Sequence, residues 1–372
     1  MKRILLITRP IAPPWDEASK NFAFYLAKSV ENFEFSVLTP GVVNSLPLKI
    51  KQLPIFSSNH PNLRLNQQAK LLKLIPLIGK FDIAHFMLTP NKLNAFGFKT
   101  FLTRRQTKSV QTVATLREDL FSDKDFKKII FADLVITYSD YAKNKLTKLG
   151  FKNVQRIYPG IDVQLYSPAP KNLSTLALFK IKQDDFVVSY QGEYTRLGAT
   201  DTIVASLPQL FKEIPNAKFI FANRIKNEKD AVKKAQVIET LKAAEILDKV
   251  IFTDTFSDMP KIYNLSDVVI FPAQNMYGKF DVPLVVIEAM ACAKPVVISN
   301  LPILQEFSSN KNSISIDPTS QTQLVKAIVD LSQDKEKCTK LGKAARQYVT
   351  ENFDIKTVAK QYERAYRDLL SL

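Results

Sequence analysis

Along this 372-residue chain, short β-rich runs alternate with helical patterns in two successive sets. The first set has apolar, β-branched or aromatic runs at 3–8, 35–38, 83–86, 109–113, 134–137 and 154–157. The second has them at 186–190, 218–222, 250–252, 268–271, 295–298 and 313–316. Helical periodicity intervenes at 17–30, 141–149, 200–211, 229–247 and 321–331. Strands separated by helices must return by crossovers, so they pair in parallel and both sheet faces are covered. Two such sets predict two doubly wound α/β domains. The boundary is expected after the turn Tyr158-Pro159-Gly160-Ile161-Asp162 and its linker Ser167-Pro168-Ala169-Pro170. This gives domains at 1–160 and 161–354, with a closing helix within 355–372.

Hydrophobic residues make up 46% of the chain, enough for two cores. Two cysteines, Cys292 and Cys338, supply no disulfide or metal framework, so a reducing cytoplasm is the expected setting. The apolar run near Met1 is too short for a signal peptide, and no run approaches the ~18–20 residues of a membrane span. The net charge of +16 is uneven: residues 1–165 hold 25 Lys/Arg against 12 Asp/Glu. Residues 41–115 hold 11 basic residues and one acid, Asp82. The basic half is expected to meet an anionic partner, such as a membrane surface or a lipid phosphate. Nucleic acid is not expected, because no recognised module accompanies the charge.

Nine glycines occur, with neither a Gly-x-Gly-x-x-Gly nor a Walker A loop, which counts against dinucleotide dehydrogenases and P-loop enzymes. The most informative stretch is 279–296, where Lys279, Phe280 and Asp281 lead through Pro283 into an apolar segment with one carboxylate, Glu288. A helix starting beside a strand end offers unpaired N–H groups and a dipole to an anion. A carboxylate a turn or two inside such a helix is well placed to hold sugar hydroxyls. With proline at 283, the N–H groups of Leu284 and Val285 would face the anion.

Ile287-Glu288-Ala289-Met290-Ala291 with Lys294-Pro295-Val296 resembles the donor-site signature of retaining GT-B glycosyltransferases of the family-4 type. Gly160, Ile161, Asp162, Tyr166 and Pro168 match that family's junction element. The implied fold is α/β, GT-B: two doubly wound Rossmann-like domains facing a central cleft, with the terminal helix crossing back to the first. The resemblance implies that Glu288 binds the ribose of a nucleotide-sugar. It also brings departures. Phe280 stands where the family has a second Glu, and Asp281 and Pro283 replace its usual glycines. Glu193 stands at its usual phosphate-binding Arg, and Ala199 where Lys is common. Arg196, Arg224, Lys226 and Lys279 are therefore expected to replace the missing cations, since a compact anion needs at least two fixed cations or several N–H groups. Asp281 is expected either to contact the donor sugar or to cap the helix at Pro283.

After the first strand, a Pro-stiffened loop runs from Arg9 to Asn21. Trp15, Asp16, Ser19 and Lys20 would line the cleft there; alternatively Asp16 caps a helix with Lys20 as its solvated partner. His85, in Asp82-Ile83-Ala84-His85-Phe86, resembles the family's strand-end His, which would contact donor or acceptor; alternatively it is a structural hydrogen-bonder. Residues 91–105 mix basic and aromatic residues at helical spacing. They form either a membrane-surface helix or a core helix with Leu93, Phe96 and Phe101 inside.

The implied reaction moves a sugar from a nucleotide-diphosphate-sugar to a hydroxyl of a glycan or lipid-linked acceptor with retention. The resemblance implies no cofactor and no metal: the nucleotide-sugar is a co-substrate, and cations neutralise its leaving group. The setting would be cytoplasmic, at the inner face of the cell membrane. Two alternatives stay open: a non-catalytic nucleotide-sugar or membrane-binding protein on this scaffold, and a nucleotide-sugar epimerase of related fold.

Overall fold

The computed structural model describes residues 1–15, 17–58, 74–88, 92–102 and 106–371. The chain divides into two compact units, Met1–Gly160 with Asp354–Leu372, and Ile161–Phe353. Counted by unit, the charge contrast sharpens. The first holds 29 Lys/Arg against 14 Asp/Glu, the second 23 against 22.

The first unit is built on strands β1 (Lys2–Ile7), β2 (Phe33–Thr39), β3 (Lys51–Pro54), β4 (Ile83–Phe86), β5 (Lys108–Val113), β6 (Leu134–Thr137) and β7 (Val154–Arg156). They form a parallel sheet in the order β3-β2-β1-β4-β5-β6-β7. β4 and β6 are buried along their whole length, as expected for parallel strands covered on both faces. β3 has no apolar run to announce it. It is an edge strand that ends in Pro54, where the missing N–H costs nothing.

The helix Ile355–Leu370 completes this unit. Its buried positions Ile355, Val358, Ala359, Tyr362, Ala365 and Tyr366 repeat at helical spacing and make one apolar face. Glu363 on that helix accepts the N–H groups of Glu31 (2.6 Å) and Asn32 (3.2 Å), which follow the Ala18–Ser29 helix. Gly160 meets this returning helix where no side chain fits: a Cβ there would lie 2.9 Å from the Ile355 Cα.

His85 belongs to this packing. It is fully buried in β4, with Nδ1 2.8 Å from the Tyr366 hydroxyl and Nε2 2.7 Å from the Thr112 hydroxyl. Burial pushes the imidazole pKa down to about 3, so the ring is neutral. The expectation of a ligand-edge His85 is thus corrected. Both ring nitrogens are engaged inside the sheet-to-helix core. In the Lys92–Leu102 helix, Ala95 and Phe98 are buried while Phe96 is 71% exposed, so Phe96 does not lie inside as the core-helix alternative has it. The side chains of Leu93 and Phe101 lie outside those described.

The second unit carries β8 (Phe186–Tyr190), β9 (Ala217–Phe221), β10 (Val250–Phe252), β11 (Val268–Phe271), β12 (Val296–Ser299) and β13 (Ile314–Ile316). Its parallel order is β10-β9-β8-β11-β12-β13. After β8 the chain winds one way, and after β11 the other, so the strand order reverses between these neighbours. Ligands of doubly wound sheets bind outside the carboxyl ends at such a reversal. Helix Ala199–Glu213 follows β8, and helix Leu284–Ala291 follows β11.

The Leu284–Ala291 helix is backed by Lys335–Phe353 at very short range. A Cβ on Gly342 would lie 2.1 Å from the carbonyl oxygen of Ala293. One turn further, Arg346 donates from Nη1 to the Ala291 carbonyl (2.7 Å) and the Tyr166 carbonyl (2.6 Å). Gly342→Ala is expected to destabilise the protein by roughly 1–3 kcal/mol through overpacking, read as a lower denaturation midpoint at unchanged slope.

Candidate functional site

The loops leaving β8 and β11 are stitched together at the strand-order reversal. Gln274 N–H donates to the Leu197 carbonyl (2.8 Å), and Arg196 Nη1 donates to the Gly278 carbonyl (3.2 Å). Gly198 makes this contact possible. It holds φ +71°, and a Cβ would lie 2.6 Å from the Gln274 side-chain oxygen.

Glu193 sits in the β8 loop with only 4% of its side chain exposed. Lys279 Nζ contacts its Oε1 at 2.6 Å, Lys226 Nζ pairs with the same oxygen, and Arg196 Nε lies 3.3 Å from Oε2. Burial alone would raise the Glu193 pKa, but the Lys279 and Lys226 charges outweigh it and bring the carboxyl to about 2. Lys279 responds oppositely. Burial drives its pKa down to about 8, with Glu193 holding it up and Lys226 and Arg196 pushing it lower. The Glu193 shift is thus set by its neighbouring cations, and the Lys279 shift first by burial. The named groups carry three positive charges against one negative, gathered at one sheet edge.

Three of the expected cations, Arg196, Lys226 and Lys279, therefore converge. Arg224 is half-buried two residues before Lys226, past the end of β9. Glu193, read from sequence as a lost phosphate contact, is the residue that organises them. Its only sequence signal was an acid at a strand's carboxyl end with Arg196 three residues on.

Pro283 is the N-cap of the Leu284–Ala291 helix and contributes no side-chain cap. Intrahelical bonds begin with the N–H groups of Val286 (3.0 Å) and Ile287 (3.4 Å) to the Pro283 carbonyl. Leu284 and Val285 N–H groups precede these, at the positive end of the helix. Asp281 is buried, and its carboxylate is not the cap. Glu288 follows Leu284 by four residues, about 6 Å of axial rise. Its Oε2 accepts the Tyr263 hydroxyl at 2.8 Å, and the Tyr166 ring packs edge to face on that of Tyr263. Burial raises the Glu288 pKa to about 7, with Tyr263 and Tyr166 holding it down, although some of its surface still reaches solvent.

In the first unit, the loop after β1 is held by other contacts. Arg9 pairs with Glu17, whose Oε1 also receives the Ser19 hydroxyl at 3.4 Å. Trp15 stacks on Phe24 with centroids 4.5 Å apart, and its carbonyl accepts Asn21 Nδ2 (3.1 Å). Lys20 is 6% exposed, which corrects the reading of it as a solvated partner. Asp16 lies outside the described residues. Ser122 and Asp125 form a capping box at the start of the Asp123–Ile129 helix, each side chain bonded to the other's backbone N–H. Among the described residues, no group of three or more His, Cys, Asp or Glu could hold a metal ion.

Residues 178–348 match the family model described as glycosyl transferases group 1. They form a group 1 glycosyl transferase domain. Glu193, Arg196, Arg224, Lys226, Lys279, Asp281 and Glu288 all lie within it. Spore coat protein SA of Bacillus subtilis is 25% identical over 247 residues, which cover 62% of this chain and 64% of that protein. A GDP-mannose-dependent alpha-(1-6)-phosphatidylinositol monomannoside mannosyltransferase of Mycobacterium tuberculosis is 24% identical over 240 residues, 61% and 60% of the two chains. The chain thus spans about three fifths of the length of these curated relatives. Among solved structures, Anabaena Alr3699/HepE in complex with UDP-glucose has a TM-score of 0.78 at 19% identity, covering 100% of both chains. Sucrose-phosphate synthase from Thermosynechococcus elongatus reaches 0.79 at 18%, again covering 100% of both. The fold is GT-B, two Rossmann-like α/β domains.

The cation cluster of the group 1 domain depends on its carboxylate. Glu193→Ala leaves Arg196, Lys226 and Lys279 in mutual repulsion; because these cations stay partly solvated, the cost is expected to be roughly 1–2 kcal/mol. Because the folded pKa is depressed from 4.5 to about 2, the contribution is present above pH 4.5 and lost as pH falls toward 2. Denaturant melts should therefore show a wild-type advantage at pH 7 that shrinks below pH 4; an equal gap at all pH values would contradict this.

Proposed function

We propose that the chain is a glycosyltransferase that moves a sugar from a nucleoside-diphosphate-sugar to a hydroxyl acceptor, with retention of anomeric configuration. The convergence of Arg196, Lys226 and Lys279 on Glu193, beside the start of the helix that carries Glu288, supports this reading most strongly. A diphosphate bound there meets fixed cations and the Leu284 and Val285 N–H groups. Glu288, one turn along the helix, is placed to accept the hydroxyls of a ribose. Asp281 is the residue proposed to contact the donor sugar. Its neighbours provide the electrostatics: negative charge grows on the leaving diphosphate as the glycosidic bond breaks, and preorganised cations and N–H groups stabilise it without a metal. No cofactor is required in this scheme. His85, bonded at both nitrogens, is left with a structural role.

The donor class is supported by the UDP-glucose complex of the HepE neighbour, and a lipid-linked acceptor by the phosphatidylinositol mannoside named for the mycobacterial relative. Glu288→Ala is expected to weaken nucleotide-sugar binding at least tenfold in a titration with UDP-, GDP- and ADP-sugars, while keeping its fold. Unchanged affinity in the folded variant would contradict the assignment. A non-catalytic binding protein on the same scaffold predicts binding without turnover, which release of nucleoside diphosphate in the presence of acceptors decides.

The ionisations define a pH window for donor binding. Glu288, at about 7, loses its charge as pH falls, and Lys279, at about 8, loses its charge as pH rises. Affinity should peak between these values; Glu288→Gln should remove the acid-side fall.

The acceptor side of the reading involves a membrane surface. The excess of basic residues falls in the first unit, whose Lys92–Leu102 helix exposes Phe96 beside Lys99 and Gly97. Peripheral binding at the inner face of the cell membrane is the proposed consequence. Sedimentation with liposomes should require anionic lipid and weaken with salt, the charges being screened within about 8 Å at physiological ionic strength. Equal binding to neutral vesicles would rule this out.

A further inference from the structure

We propose that Tyr166 and Tyr263 are positioning residues that fix the Glu288 carboxylate for hydrogen bonding to a ligand diol, and so tie the junction turn to the donor helix. This rests on the donor reading above for the identity of the ligand, but not for the placement of the carboxylate. Tyr166 lies outside the 178–348 match, in the segment that opens the second unit at Ile161.

The two tyrosines reach Glu288 from different elements. Tyr263 is fully buried on the Met259–Leu265 helix, and its hydroxyl donates to Glu288 Oε2 at 2.8 Å. The Tyr166 ring packs edge to face on that of Tyr263 with centroids 6.0 Å apart, and Tyr166 is the second group that favours the charged carboxylate. The four lone-pair sites of a carboxylate are not exhausted by the Tyr263 hydroxyl, which leaves acceptors for vicinal hydroxyls.

The position of Tyr166 is fixed by its backbone. Asp162 Oδ1 accepts the N–H groups of Gln164 (3.0 Å) and Leu165 (3.1 Å), and the Asp162 carbonyl accepts the Tyr166 N–H (2.9 Å). The Tyr166 carbonyl accepts Arg346 Nη1, which also holds the end of the donor helix at Ala291. Asn264, next to Tyr263, clamps the following linker residues. Its Nδ2 donates to the Ser167 carbonyl (2.9 Å), and its Oδ1 accepts the Ala169 N–H (2.9 Å). The turn, the Met259–Leu265 helix and the donor helix are thus locked around one carboxylate. This is the kind of supporting shell that holds a binding group in a productive geometry.

The hydrogen bonds favour the charged carboxylate, whereas burial favours the neutral acid. The groups facing Glu288 are Tyr166, Tyr263 and Cys292, and Lys294 and Arg346 lie near that thiol. Cys292 is itself pushed up to about 12 by burial, so it carries no charge that would compete at neutral pH.

The test uses full-length protein with glutamate labelled with carbon-13 at the side-chain carboxyl. The Glu288 signal is assigned by its loss in Glu288→Gln and followed by NMR against pH. Wild type should titrate near 7, and Tyr166→Phe and Tyr263→Phe should each raise the midpoint by about one pH unit. Both variants keep the ring, and a third, Tyr166→Phe with Tyr263→Phe, should shift further. Titration of the same proteins with UDP, GDP and ADP should show affinity at pH 7 falling up to about tenfold, with the deficit closing as pH rises. Midpoints unchanged in both single variants would overturn the positioning role. Midpoints that move while nucleoside diphosphate binding shows no matching loss would overturn the donor reading and leave the positioning role standing.

Discussion

A buried carboxylate surrounded by cations governs the second unit. Glu193 sits almost fully out of water at the carboxyl edge of the sheet, where an unpaired charge would be untenable. Its partners come from different parts of the chain: Arg196 from the same loop, Lys226 from beyond β9, and Lys279 from beyond β11. Satisfying one acid therefore pulls three connections to the point where the strand order reverses. Asp230, buried and accepting the Thr195 hydroxyl and the Lys226 N–H, ties two of these connections together. On the proposed reading of this edge as an anion site, the ordering cost of the lysine and arginine side chains is met during folding.

The Leu284–Ala291 helix takes its place from packing rather than from charge. Gly342 allows Lys335–Phe353 to approach the end of the Leu284–Ala291 helix, and Arg346 then bonds that end and the junction turn together. From there the orientation of Glu288 follows through Tyr263 and Tyr166. The two features, one electrostatic and one steric, are joined by the short run from Lys279 to Leu284. Within this unit the proposed diphosphate and ribose contacts lie a few residues apart in sequence and about one helical turn apart along the axis.

Much of the fold was legible in the sequence, for a physical reason. Parallel strands buried on both faces, such as 83–86, 134–137 and 268–271, must be apolar along their length, and they read as such. β3 was not legible, because an edge strand of sequence Lys-Gln-Leu-Pro needs no apolar run. The site was legible where local rules apply: a helix start at Leu284, one carboxylate inside it, and basic residues at strand ends. It was not legible where the partner is remote in sequence. Glu193 looked like a missing arginine until its bonds to Lys226 and Lys279 showed it as their organiser, and Tyr263 gave no sign of reaching Glu288. His85 matched a motif, yet its environment is set by Tyr366 and Thr112, one of them 281 residues away.

Whether Glu288 and the cation cluster serve one ligand is the central question, and fragment binding addresses it directly. Affinities of a nucleoside, inorganic pyrophosphate and the intact nucleoside-diphosphate-sugar should be measured by calorimetry on wild type, Glu288→Gln and Lys279→Met. A single donor site predicts that the nucleoside is weakened only by Glu288→Gln, pyrophosphate only by Lys279→Met, and the intact donor by both. An intact donor bound equally well by both folded variants would contradict it.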